Sequence, residues 1–251
     1  MAGIKQNIVY GPVLSRRLGI SLGINLLPVS KKICTFDCLY CECGWTKVNI
    51  NESIKNYDFP EFKDIKVALI NALSNNYHSI EHITFAGNGE PTLHPDFSSI
   101  VDEVIMIRDK FLPETKIAIL SNSTTLKNAN ILEALKKLDL RIMKLDAGNQ
   151  ETFKIYNRPV VEINISDIIE GLMNLKEIVI QSLFTKGKCG NYNNKNISDW
   201  INLLLKIKPK SVQIYSLDRS YPSDDILPLN KKELTEIQSE LVKYNIKSEV
   251  F

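Results

Sequence analysis

Three thiols stand at offsets of four and three residues in Cys34-Thr35-Phe36-Asp37-Cys38-Leu39-Tyr40-Cys41. The segment lies between Pro28 and Gly44 and cannot extend a ladder without exposing apolar residues, so it reads as a loop. Thiolates converging from one short loop make a soft metal site. On a [4Fe-4S] cluster, three cysteines leave one iron for a ligand that is not protein. Other readings stand beside this one. Cys43 supplies a fourth thiol for an all-thiolate zinc site, although Cys41-Glu42-Cys43 is a cramped pair for tetrahedral zinc and no matching Cys/His pair follows. Cysteines also serve as small core residues. A disulfide framework does not suit a chain of 251 residues with no recognisable export signal.

A second motif is Gly87-Asn88-Gly89-Glu90-Pro91-Thr92, which follows an apolar run over 80–86. A glycine turn after a strand lets backbone approach a ligand closely, and a carboxylate at its end can grip an ammonium group. Two smaller features carry hypotheses of their own. Arg16-Arg17 is either a solvated pair or an anion site. Cys43 is either a packed thiol or a hydrogen-atom donor or substrate thiol, which makes it the one candidate catalytic residue.

The elements that must hold these residues alternate. Residues 20–27 alternate loosely and end at Pro28, a first strand, with the cysteine loop beyond its end. Gly11-Pro12 marks a turn. Helical spacing recurs over 62–77, 97–111, 128–138, 167–175, 198–207 and 230–244. Strand patterns lie between them at 80–86, 116–120, 141–145, 178–184 and 211–215, with a short last strand at 246–251. Asp167, Ser198 and Asn230 are expected as N-caps. Strand–helix alternation implies a parallel sheet with right-handed crossovers. Six strand–helix units are too few for a closed eight-fold barrel. The expectation is an α/β fold: a partial, open (β/α)6 TIM-like barrel with the cysteine loop after the first strand, forming a single domain over 1–251. The polar residues at strand ends are Ser121-Asn122-Ser123, Lys144, Asp146, Gln181, Thr185, Tyr215, Asp218 and Arg219. They fall at the same end as the cysteine loop and the glycine turn, where parallel α/β barrels build their sites. Cys189 sits alone in a polar loop and cannot hold a cluster.

Composition narrows the rest. With 44% hydrophobic residues the chain can bury a sizeable core without staples. A formal net charge of +2 neither demands nor excludes a nucleic-acid partner. No apolar run approaches a membrane span, and Met1 to Gln6 lacks a signal core, so no membrane partner is expected. Unpaired cysteines point to a reducing, cytoplasmic setting. No second-domain boundary or room for an auxiliary cluster domain is visible.

The cysteine spacing, with aromatic Tyr40 before the last cysteine, resembles the CxxxCxxC loop of the radical S-adenosylmethionine (SAM) enzymes. Asn88-Gly89-Glu90 resembles that family's GGE motif, departing from it at Asn88. The resemblance implies a [4Fe-4S] cluster on Cys34, Cys38 and Cys41, with the fourth iron chelated by SAM. It places Tyr40 near the adenine, Gly89 and Glu90 at the SAM amino group, and Ser121, Asn122 and Gln181 in the SAM pocket. Asp146 falls near the ribose hydroxyls and Lys144 near the SAM carboxylate. It also implies the partial-barrel fold, reductive cleavage of SAM to a 5′-deoxyadenosyl radical that abstracts hydrogen from a substrate, and a flavodoxin- or ferredoxin-type electron donor. The runs over 11–19, 85–93 and 144–148 resemble a short subgroup grouped with the wyosine-base (tRNA-modifying) synthases. Three functions follow: a radical SAM enzyme on a small molecule or modified nucleoside, with tRNA weakly supported by charge; an activase of a glycyl-radical enzyme; and a non-enzymatic zinc or iron–sulfur module.

Overall fold

The structure is a computed structural model that describes residues 3–47, 57–74 and 79–251. An eight-stranded sheet carries the chain. β1 (Val9–Ser15) pairs antiparallel with β2 (Gly19–Ile24). From β2 the sheet is parallel through β3 (His82–Phe85), β4 (Lys116–Ser121), β5 (Leu140–Lys144), β6 (Val179–Leu183), β8 (Ser211–Tyr215) and β10 (Ser248–Val250). Each of these strands lies beside its predecessor in the sheet, so the wall is built by successive crossovers in one direction, as in a barrel. β1 and β10 are the two edges, so the wall is open. β7 (Thr185–Lys186) and β9 (Leu227–Pro228) form a separate two-stranded ribbon.

Helices cover the outside: α1 (Phe62–Ser74), α2 (Phe97–Phe111), α3 (Ala129–Lys136), α4 (Gln150–Tyr156), α5 (Ile165–Met173), α6 (Asn194–Ile207) and α7 (Lys231–Val242). Their apolar stripes close one main core with the strands' outer faces; Ile65, Leu69, Val104, Leu135, Leu172, Trp200, Leu204 and Leu241 are buried in it. Apolar residues on a 3.6-residue period force this docking. A smaller cluster of Leu18, Ala118, Ile142 and Val179 packs separately from that core.

Several expectations need correction. The Gly11-Pro12 stretch is part of β1, not a turn joining loop to loop. Proline lacks a ladder donor and is tolerated here because β1 is an edge strand with a register shift between Tyr10 and Val13. The first predicted strand stops at Ile24, because the Asn25 side chain donates to Leu27 O (2.8 Å) and turns the chain. Helix α6 begins at Asn194 and is capped by Asn193, so Ser198 lies inside it. Asp167 likewise lies in the first turn of α5 rather than at its cap. Asn230 does cap α7, in a reciprocal capping box with Glu233. The end of the predicted helix over 62–77 lies outside the described residues.

Candidate active site

The cysteine loop leaves the C-terminal end of β2 and is clamped from two sides. At its start, Ile33 pairs with Gly89: Ile33 N donates to Asn88 O (2.9 Å) and Glu90 N donates to Ile33 O (3.0 Å). Gly89 has φ of +134°, and a Cβ there would sit 1.8 Å from Ile33 O. Only glycine allows this approach. Further on, the loop runs against the segment after α4. Asp37 N donates to Asn157 O (3.1 Å), Leu39 N to Tyr156 O (3.1 Å), and Val160 N to Thr35 O (2.9 Å). Phe36 packs edge-on to Phe153, with ring centroids 5.3 Å apart.

All five cysteines are free thiols. Cys34 and Cys38 are buried; Cys41 and Cys43 are half-buried. Burial pushes the Cys34 thiol well up and the Cys38 thiol up to about 11. The neighbouring Cys43 thiol pulls Cys41 down to about 6 and is itself pushed up; Cys43 Sγ donates to Gly87 O (3.6 Å). Asn122 Nδ2 donates to Cys34 Sγ (3.5 Å) and Asn157 Nδ2 to Cys38 Sγ (3.6 Å). Lys32 is only 4% exposed. Burial pulls its pKa down, but the thiols of Cys41, Cys34 and Cys38 outweigh that and hold it above its ordinary value. Its Nζ donates to Gly44 O (2.9 Å). Among the described residues no three or more Cys, His, Asp or Glu side chains converge on one ion position. A mononuclear thiolate zinc site requires that convergence. A cluster does not, because each thiolate binds its own iron. Three thiols beside one buried cation therefore fit an anionic iron–sulfur cluster.

Glu90 is 1% exposed and has no ion-pair partner among the described residues. Its Oε1 accepts from Thr92 N (3.2 Å), Thr92 Oγ1 (2.6 Å) and Ser121 Oγ (2.9 Å), and its Oε2 accepts from Asn122 N (2.6 Å). Burial still raises its pKa against all of these donors. A buried carboxylate without a cation is a fitting receptor for an ammonium group. Asn122 also reaches the cysteine loop, its Nδ2 donating to Thr35 Oγ1 (2.7 Å). Asn88 is engaged differently. Its Oδ1 accepts from Lys5 N (2.6 Å), and its Nδ2 donates to Lys5 O and Pro28 O (both 2.9 Å). Every polar atom of that side chain is tied to backbone.

Asp146, 2% exposed, is the hub of the β5 end. Its Oδ1 takes Lys144 Nζ (2.9 Å) and Leu183 N (2.8 Å). Its Oδ2 takes Asn157 Nδ2 (2.9 Å) and the Tyr40 hydroxyl. Burial lowers the Lys144 pKa, and Asp146 and Tyr215 together more than restore it. Lys144 Nζ lies 4.9 Å from the centroids of both Tyr40 and Tyr215 and donates to Tyr215 Oη (3.0 Å). Tyr215 Oη donates to Gln181 Oε1 (3.3 Å), whose amide donates to Gln213 Oε1 (2.9 Å). The ends of β4, β5, β6 and β8 thus meet the cysteine loop in one network. On its rim, Asp218 pairs with Arg16 (3.0 Å) and Arg219 with Glu42 (2.9 Å).

Two residues of this site escape sequence reasoning, Lys32 and Asn157. Lys32 lies two positions before Cys34, where a lysine pair reads as surface. Asn157 follows α4, a helix of seven residues with too few apolar positions to show a period. Cys189 packs against the apolar cluster of Leu39, Tyr156, Leu183 and Ile226.

A family profile described as the Radical SAM superfamily matches residues 29–206. A UPF0026 protein from Helicobacter pylori (strain J99) is 35% identical over 86% of this chain and 68% of its own. A protein named GTPase Obg from Brachyspira hyodysenteriae is 34% identical over 92% of this chain, which spans only 33% of its length. Among solved structures, a radical SAM methyltransferase from Sphaerobacter thermophilus superposes with a TM-score of 0.67 at 12% identity, covering 92% of this chain and 65% of that one. Archaeal TYW1 superposes with a TM-score of 0.55 at 16% identity, covering 89% and 71%. These two share the fold, the partial barrel expected from the strand–helix count. With both its thiol loop and its glycine turn inside the matched stretch, the chain belongs to the radical SAM superfamily.

Proposed function

We propose that the protein is a radical SAM enzyme that binds a [4Fe-4S] cluster through Cys34, Cys38 and Cys41 and acts on a small molecule or modified nucleoside. The observation that carries this reading is Glu90: a buried carboxylate with no cation, held by four donors beside a three-thiol loop. SAM carries the ammonium group that such a carboxylate needs. When bound, the cluster and SAM supply one-electron cleavage of the sulfonium and a 5′-deoxyadenosyl radical able to abstract hydrogen.

The chain's own residues do the rest. Lys32 offsets the negative charge of a thiolate-ligated cluster. Gly89 brings backbone against the loop, and Ser121 and Asn122 hold Glu90 in its charged orientation. Asp146 fixes the Tyr40 ring, which would lie near the adenine, and would be the carboxylate near the ribose hydroxyls. Lys144 and Gln181 close the inner side of the pocket. Cys43 Sγ donates to Gly87 O (3.6 Å) at the glycine turn. Electrons come from a flavodoxin- or ferredoxin-type donor. Among the described residues no helix is long and apolar enough to cross a membrane.

Anaerobic reconstitution with iron and sulfide, followed by reduction with SAM, tests the proposal. The expected products are 5′-deoxyadenosine and methionine, both absent from Cys34→Ala protein. A colourless protein that takes up zinc and leaves SAM intact would overturn it.

A further inference from the structure

Arg17, at the mouth of the barrel, forms no ion pair among the described residues. Arg16 pairs with Asp218, Arg219 with Glu42, and Lys144 with Asp146. Arg17, in the turn before β2, pairs with no carboxylate among the described residues. Its guanidinium carbon lies 4.4 Å from the centroid of the Tyr215 ring and 5.8 Å from that of Phe251. Its Nη1 is buried with no hydrogen-bond partner. Burial lowers its pKa; Tyr215 and Glu42 oppose this in part, while neighbouring Arg16 and Arg219 add to it. A buried donor of a permanently charged group left without an acceptor is costly, so it needs a reason.

Its position supplies one. Tyr215, the ring beneath Arg17, also lies under Lys144, and Lys144 touches Tyr40 and Asp146. Arg17 is therefore one aromatic ring away from the network proposed to hold SAM. We propose that Arg17 anchors a carboxylate on the substrate, so that the substrate class is a carboxylic acid. This rests on the radical SAM reading of the site. The charge balance selects the group. Arg17 is a single guanidinium in no ion pair with a carboxylate among the described residues, and one such cation is matched by a monoanion rather than by a phosphate dianion. A guanidinium edge also matches the two oxygens of a carboxylate in a bidentate pair.

The test uses reconstituted, SAM-saturated protein, so that the carboxylate of SAM is already placed. The probe is trifluoroacetate, followed by fluorine NMR, with trifluoroacetamide as its neutral counterpart. The expected result is saturable binding of the acid and none of the amide. Acetate displaces the probe more effectively than inorganic phosphate does. Arg17→Met lowers probe affinity by about tenfold or more, Arg17→Lys recovers part of it, and Arg16→Met leaves it unchanged. Equal binding of acid and amide to the unmodified protein overturns the proposal, and needs no variant to fold. Stronger displacement by phosphate, or full affinity in folded Arg17→Met, also overturns it. So does a loss of SAM affinity in Arg17→Met, which would assign the guanidinium to the cofactor. Failure of the function reading looks different: no 5′-deoxyadenosine forms, whatever the probe does.

Discussion

Glu90 is the residue on which the site's electrostatics turn. Its carboxyl is held above the ordinary carboxylate range because burial opposes the charge more strongly than four donors support it. The sign of the linkage follows. A carboxyl whose pKa is raised by folding contributes stability that is complete below the ordinary carboxylate range and is lost as pH rises through the raised value. An ammonium group reverses this, because it binds only the ionised form. SAM affinity is therefore expected to fall as pH drops through the raised pKa, by equilibrium dialysis on anaerobic, reconstituted protein. Glu90→Gln should weaken SAM by roughly tenfold to a hundredfold and flatten that pH dependence. A Glu90→Gln protein with normal affinity and an unchanged profile would remove Glu90 from the cofactor site. The same scale explains Asn88. Where the resembling motif has glycine, this chain has an asparagine whose amide ties Lys5 and Pro28 to the turn, so its side chain serves the loop's backbone.

At the scale of elements, the decisive contact is the pairing of the cysteine loop with the glycine turn after β3. Gly89→Ala places a Cβ 1.8 Å from Ile33 O at a φ of +134°. The backbone penalty and the clash together should cost roughly 3 kcal/mol or more. Thermal unfolding should then begin about 6–12 °C lower, with reduced iron content after reconstitution. An unchanged melting temperature and full iron loading would show that the loop does not depend on this clamp. Both halves of the clamp were legible in sequence, because thiol spacing and a glycine turn after an apolar run are local signals. The six strand–helix units were legible for the same reason: α2 is found at 97–111 as its apolar period indicates. The other clamp was not. It depends on Asn157 and backbone at 156–160, which meet the loop more than a hundred residues from Cys38 with no local pattern to announce them. β1 was hidden because Gly-Pro signals a turn in most contexts, and only its place at an open edge makes it a strand.

At the scale of the whole molecule, the wall and the site are one object. The ends of β3, β4, β5, β6 and β8 supply or adjoin Glu90, Asn122, Asp146, Gln181 and Tyr215, and the loop after β2 supplies the thiols. The buried Trp200 of α6 ties the outer layer to the same end, its Nε1 donating to Leu145 O and Ser182 Oγ (both 3.1 Å). A ligand that bridges several strand ends of an open sheet binds the folded state alone, so its binding free energy adds to stability. SAM at a hundredfold excess over its dissociation constant should stabilise the reconstituted protein by about 2.7 kcal/mol. For a chain of this size that is a rise in melting temperature of about 5–10 °C. Scanning calorimetry under anaerobic conditions reads it directly. The shift should shrink with Glu90→Gln, which weakens the ligand, and should persist with Arg16→Met, which touches only the rim. A SAM-induced shift equal in Glu90→Gln and unmodified protein would mean that SAM binds elsewhere, and that the buried carboxylate at the strand ends serves the fold alone.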